Sequence, residues 1–221
     1  FSTWNTSATR GTTPWMASSD GIDESDAFFL SGTLSHAHFT WGFSRRGIYE
    51  IDLQATAIDR FTGEPIESDM ATYHWAVGAY PQWLADHFST RTLIDPLMSG
   101  PEADPDGDGQ SNLHEYAFDS NPRIANGLIT IDEGDEITMP QMLPDELGRV
   151  HFCYGRRQED SSPQIQYHHE TSRDLQDWQA MPEEGMRVEE SGRNGWDVIH
   201  LPLPESPSER HYYRVRVTLD R

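Results

Sequence analysis

Apolar and polar residues alternate with a period of two over much of the first third of the chain. The clearest run is Ser35-His-Ala-His-Phe-Thr-Trp-Gly-Phe43, followed after Ser-Arg-Arg-Gly47 by Ile48-Tyr-Glu-Ile-Asp-Leu-Gln-Ala-Thr-Ala57. A period of two places alternate side chains on one face of a strand. Phe39, Trp41 and Phe43 therefore share one face, and Tyr49, Ile51, Leu53 and Ala55 share another. A hairpin pairing Phe43 with Tyr49 and Phe39 with Leu53 places both sets on one core. Ala71-Thr-Tyr-His-Trp-Ala-Val77 predicts a third strand of the same kind.

The alternation stops after Val77. Pro81-Gln-Trp-Leu-Ala-Asp-His-Phe88 predicts a short helix with proline in its first turn, and Asn112-Leu-His-Glu-Tyr-Ala-Phe118 predicts a second helix, halted by Asp119-Ser-Asn-Pro122. Beyond residue 126 the strand pattern returns, at 127–131, 136–141, 149–156, 164–170, 186–190, 196–201 and 212–219, with a helical turn over 172–178. The fold class expected is all-β: two small β-sandwich domains, 1–78 and 126–221, joined by a short helical linker over 79–125.

The linker carries the most informative stretch of the chain, Asp104-Pro-Asp-Gly-Asp-Gly-Gln-Ser-Asn-Leu-His-Glu115. Ca²⁺ is a hard cation that takes six to eight oxygens, and an EF-hand-like loop supplies them at fixed positions. Asp104, Asp106 and Asp108 fall at positions 1, 3 and 5. Gly109 stands at the sharp turn, Gln110 offers its backbone carbonyl at position 7, Asn112 stands at position 9, and Glu115 closes the loop at position 12. Only the outgoing side reads as a helix, because Gly100 and Pro101 make the incoming segment a poor one. The loop also occurs once. A single loop-then-helix site of this kind predicts a structural calcium clip that fixes the angle between two β-domains.

Composition narrows the function classes. The 221 residues carry 37 acidic and 16 basic side chains, a formal net charge of −21. Such a field repels nucleic acid and anionic membranes and favours cation binding. Every basic residue is arginine, which excludes a lysine Schiff base, a P-loop lysine and a lysine isopeptide cross-link. No apolar run is long enough to span a membrane. The single cysteine, Cys153, excludes an intramolecular disulfide and, in the strand Val150-His-Phe-Cys-Tyr154, reads as a core thiol. The abrupt start at Phe1-Ser-Thr-Trp implies that further sequence precedes it.

A second candidate site lies on the histidines. His36 and His38 are two apart on a strand, opposite the aromatic face, and Asp52 emerges beside them in the hairpin register above. With His74 on the third strand they form a possible Zn²⁺ or ligand face, against the simpler reading of solvated outward-facing residues. The adjacent His168 and His169 face opposite sides of a strand and cannot chelate together. No Gly-x-Ser-x-Gly elbow and no glycine-rich phosphate loop is present, and tryptophans in strand patterns read as core.

Two segments resemble known bacterial modules. Ser35-His-Ala-His-Phe-Thr-Trp-Gly-Phe43 with Gly47-Ile-Tyr-Glu50 resembles the end of the choice-of-anchor M domain, related to the actinobacterial surface-anchored repeat. That resemblance covers about a third of the chain and implies an N-terminal part outside this sequence. Residues 81–221 resemble a C-terminal arrangement of secreted proteins of environmental bacteria, in which the aspartate loop precedes a β-module carrying Thr171-Ser-Arg-Asp-Leu-Gln-Asp-Trp178 and a last strand like Tyr212-Tyr-Arg-Val-Arg-Val217. Neither resemblance implies an enzymatic activity. Together they imply an exported, cell-surface, non-catalytic protein that is calcium-stabilised and serves display or attachment. Its expected partners are other surface proteins or copies of itself, the latter as a filament or layer subunit, and its expected cofactor is Ca²⁺.

Overall fold

The computed structural model describes residues 1–7, 11–30, 38–125, 139–159, 162, 164–192, 194–204 and 210–220. These residues are mostly β, in several antiparallel sheets, with four helices among them. The chain divides into two compact units, Phe1–Val77 and Gly78–Arg221.

In the first unit, strand β1 (Ser2–Ser7) lies between β2 (Gly11–Ala17) and β3 (Thr40–Gly42). Strand β4 (Gly47–Leu53) is separated in sequence from its partner β7 (Ala71–Val77) by a small hairpin of β5 (Thr56–Ile58) and β6 (Pro65–Glu67). The expected hairpin between the 35–43 and 48–57 runs does not form. β3 pairs with β1, with Thr3 opposite Trp41, and β4 pairs with β7, with Tyr49 opposite Trp75 and Ile51 opposite Tyr73. The aromatic faces nevertheless meet as side chains: Trp41 packs on Trp75 at 4.8 Å and Phe43 on Tyr49 at 4.6 Å between ring centroids. Aromatic attraction is satisfied by any arrangement that brings the rings together, so the pattern identifies the face without fixing its partner strand.

The second unit begins with α1 (Ala79–His87), α2 (Thr90–Leu93) and α3 (Pro96–Ser99), each two or fewer residues from the next, followed by the aspartate loop and α4 (Asn112–Phe118). The helical turns are held by their caps. Ser89 Oγ accepts from Thr92 N–H, Asp95 Oδ1 accepts from Leu97 N–H, and Ser111 Oγ accepts from His114 N–H. Two sheets complete the unit. One runs β11 (Gln179–Ala180), β10 (Ile165–Ser172), β14 (Tyr212–Leu219). The other runs β12 (Arg187–Glu190), β13 (Trp196–Pro202), β9 (Val150–Arg157), β8 (Gln141–Pro144). Phe152 and Tyr154 of β9 reach Tyr213, Tyr167 and His169 of the other sheet, and Tyr154, Ile199 and Leu201 are wholly buried. The expected strand at 127–131 and residues 136–138 of the one at 136–141 lie outside the described residues. The expected helical turn at 172–178 is a turn pinned by Asp174, whose Oδ1 accepts from Gln176 and Asp177 N–H. Trp178 closes it from above, stacked under the Arg214 guanidinium at 3.9 Å.

The expectation of a separate linker over 79–125 is corrected. Helix α4 is buried along nearly its whole length and docked on β9 and β10. A helix end leaves its last carbonyls unsatisfied. Here Arg157 Nε donates to Tyr116 O at 2.7 Å and Tyr167 Oη donates to Ala117 O at 3.1 Å. The Arg157 guanidinium also pairs with Asp119 at 3.1 Å and lies over the rings of Tyr116 and Trp196, at 4.2 and 4.6 Å. A cation at a helix C-terminus is itself favourable. Phe118 completes the contact, edge-on to Tyr154 and Tyr167. The helical segment is thus a layer of the second unit, held by polar contacts that no apolar period announces.

Arg157→Ala removes charge-assisted hydrogen bonds and both ring contacts at once. It is expected to lower the stability of the second unit by about 3 kcal/mol, read by urea unfolding. Arg157→Lys should recover little of that loss, because an ammonium cannot reproduce the planar fork.

Candidate metal centre

The aspartate loop starts and ends on α3 and α4. Ala103 O accepts from Asn112 N–H and Pro101 O accepts from Leu113 N–H, which ties the incoming chain to the first turn of α4. Inside the loop, Asp104 turns the chain: Oδ1 accepts from Gly107 N–H and Oδ2 from Gly109 N–H, both at 2.9 Å. Gly107 and Gly109 hold φ of +77° and +92°, the left-handed region where a side chain is strained. Asp106 Oδ1 accepts from Asp108 N–H, and Asp108 Oδ1 accepts from Gln110 N–H. These bonds bend the loop until Asp104, Asp106 and Asp108 bring carboxylate oxygens within 4.8 Å of one another.

Three carboxylates so close repel one another, and their surroundings increase the cost. Burial, with the charges of Asp108 and Asp104 beside it, pushes the Asp106 carboxyl above its ordinary value, and its Oδ2 is buried without a hydrogen-bond partner. Glu115 stands one turn into α4 and is wholly buried. Its Oε1 takes a long bond from Ser120 Oγ at 3.4 Å, while Oε2 is buried without a partner. Burial, then Asp106 and Asp108, push its carboxyl up to about 7. Glu115 is outside the tight group of three but close enough to feel their charge. Buried carboxylate oxygens without donors, set beside other carboxylates, fit a hard cation with oxygen ligands.

The remaining loop positions divide between two tasks. Asn112 is wholly buried and its Nδ2 donates to Met98 O and Gly100 O, at 2.8 and 2.9 Å, so its amide anchors the incoming turn. Its Oδ1 is left buried without a partner. Gln110 places its side chain against Asp108 and His114. Burial lowers the pKa of His114, keeping that imidazole neutral beside the loop.

The described members of the expected histidine face do not gather at one point. His36 lies outside the described residues, and His38 is exposed just before β3. Because β3 joins β1 instead of β4, His38 is not laid beside Asp52 by strand pairing. Asp52 accepts from Thr72 Oγ1 at 2.5 Å, and His74 Nε2 meets Glu50 Oε2 at 3.0 Å. No three of the described His, Cys, Asp and Glu residues other than the aspartate trio gather donor atoms within 4.8 Å. His168 and His169 do face apart, to Thr218 and to Tyr154 with Glu183. Sequence reasoning missed a polar contact on the β9–β13 ladder, where Cys153 meets His200 and His151 stands two residues before Cys153 on β9.

No protein-family model, curated protein or solved structure matches this chain. Among the described residues, no helix is long and apolar enough to cross a membrane.

The raised Glu115 pKa fixes the sign of the pH dependence in the metal-free protein. A carboxyl whose folded value lies near 7 instead of 4.5 contributes stability that is complete below about pH 4.5 and lost as pH rises through 7. In chelator, unfolding free energy should therefore fall between pH 5 and pH 8 by on the order of 3 kcal/mol. Glu115→Gln should flatten that difference, and a slope unchanged in this variant would assign the effect to other groups.

Proposed function

We propose that the chain is a non-catalytic, exported surface protein whose second unit is stabilised by one Ca²⁺ ion, with a role in display or attachment. The observation that carries this reading is the convergence of Asp104, Asp106 and Asp108 with the buried, donor-poor carboxylate of Glu115. Calcium would supply positive charge to these carboxylates and accept oxygens from Asn112 Oδ1 and the Gln110 backbone. A site formed by one loop, packed into a β-module, suits a structural ion better than a sensor built from a paired, opening set of helices.

The β-module is read as a small sandwich, because the inward residues of β9 interleave with those of β10 and β14. The resemblance of the 35–43 and 47–50 segments to the choice-of-anchor M domain would place the protein at a bacterial surface. Partners on this reading are other surface proteins or further copies of the chain. The strongly acidic surface disfavours nucleic acid.

Protein purified without chelator should contain one calcium per chain by elemental analysis. Its melting temperature should drop in EDTA, and Asp108→Ala should lower the melting temperature only when calcium is present. Equal shifts with and without calcium would show that Asp108 acts through the fold and would remove the basis of the reading.

A further inference from the structure

The outer face of the four-stranded sheet holds a cleft of about 840 Å³, bordered by the β8–β9 turn and by β12. A polar cluster lies at its floor. Cys153 of β9 stands directly opposite His200 of β13 in the ladder, and its Sγ is 3.3 Å from His200 Nδ1. His151, two residues before Cys153 on the same strand, points to the same face. Both His151 and Cys153 are buried, at 7% and 1% exposure.

The two imidazoles are oriented alike. His151 turns Nε2 toward Asp145 Oδ2 at 3.3 Å, and His200 turns Nε2 toward Glu189 Oε2 at 3.5 Å. A carboxylate at Nε2 keeps the proton there and leaves the Nδ1 lone pair as the donor, the arrangement that supports histidine ligands of metals. His200 Nδ1 meets the thiol. His151 Nδ1 is buried with no hydrogen-bond partner, an uncompensated loss for a core position. Gln141, opposite Cys153 on the other side of β9, also has a buried Nε2 without an acceptor.

We propose that Cys153 Sγ, His151 Nδ1 and His200 Nδ1 bind a borderline transition-metal ion of the Zn²⁺ class, with a fourth position open to the cleft. The Cys153–His200 spacing is close to the ~3.5 Å expected between sulfur and nitrogen ligands at tetrahedral zinc bond lengths. The full trio is not within 4.8 Å in the present side-chain positions, so capture draws His151 inward by rotation about its side-chain torsions. Thiolate and imidazole ligands select such a metal over calcium, which prefers the oxygen-only loop.

The same cluster has the residue types of a cysteine nucleophile with a His–Glu pair, but its environment opposes that role. Burial pushes the Cys153 thiol up to about 11 and lowers the pKa of His200, so thiol and imidazole are both neutral and do not form a reactive ion pair. A metal ion overcomes this by displacing the thiol proton, releasing one proton to solvent for each ion bound.

Co²⁺ titrated into the full chain, with calcium in excess to occupy the aspartate loop, provides the test. One equivalent should produce a thiolate-to-cobalt charge-transfer band and the visible bands of a tetrahedral ion, and Zn²⁺ should displace it. Cys153→Ser should abolish the charge-transfer band, His151→Ala and His200→Ala should each weaken binding at least tenfold, and Asp108→Ala should leave the band unchanged. That last variant separates this site from the calcium reading, on which it does not depend. Because Cys153 and His151 are buried, the wild-type protein gives a reading free of folding defects: Zn²⁺ should raise its melting temperature with calcium already saturating. Absence of the charge-transfer band, absence of the zinc-induced shift, or a band indifferent to both histidine substitutions in folded variants would overturn the proposal.

Discussion

The docking of the α4 C-terminus onto the sheets is the contact on which the second unit depends. On the sheet side Arg157 donates to the carbonyl of Tyr116, pairs with Asp119 and lies over two aromatic rings, while Tyr154 and Tyr167 pack against Phe118. Tyr167 satisfies the next carbonyl. Remove that contact and the helix has little reason to hold its place, since a seven-residue helix does not persist by its own propensity. With it, Glu115 and Asn112 are carried into the interior, and the aspartate loop inherits a rigid outgoing wall.

Rigidity at that wall explains why the loop can tolerate its own charge. Asp104 spends both carboxylate oxygens on backbone N–H groups of Gly107 and Gly109, which shapes the turn whether or not an ion is bound. Asp106 and Glu115 are left with oxygens that have no donor. The loop is therefore preorganised in its backbone and frustrated in its side chains. That combination favours binding, because little ordering remains for the ion to impose.

Different parts of this arrangement were legible to different degrees. The aspartate loop could be read in full because its ligands lie within twelve consecutive positions of a known spacing, and the strands β7, β9, β10, β12, β13 and β14 follow from their alternation. Helix α4 was visible from the run Asn112–Phe118 and its stop at Asp119. Pairing was not. The aromatic run around Trp41 fits β1 as well as β4, and a period of two carries no information on which neighbour a strand chooses. The docking of 79–125 onto the sheets also left no trace, because it rests on Arg157 and Tyr167, which lie 41 and 50 positions from the carbonyls they satisfy and reach them only once the sheets have formed. The Cys153–His200 contact spans 47 positions and exists only once β9 and β13 are in register.

Placing Glu115 inside the unit, and not on its rim, ties the seating of α4 to the charge on one carboxylate. The ionised carboxylate loses water when the helix seats, at an electrostatic cost that burial and the neighbouring aspartates raise. The same seating covers the aromatic surface of β9 and β10, since Phe118 lies edge-on to Tyr154 and Tyr167. Whatever neutralises Glu115, a proton or a bound cation, would therefore also favour keeping those rings out of water.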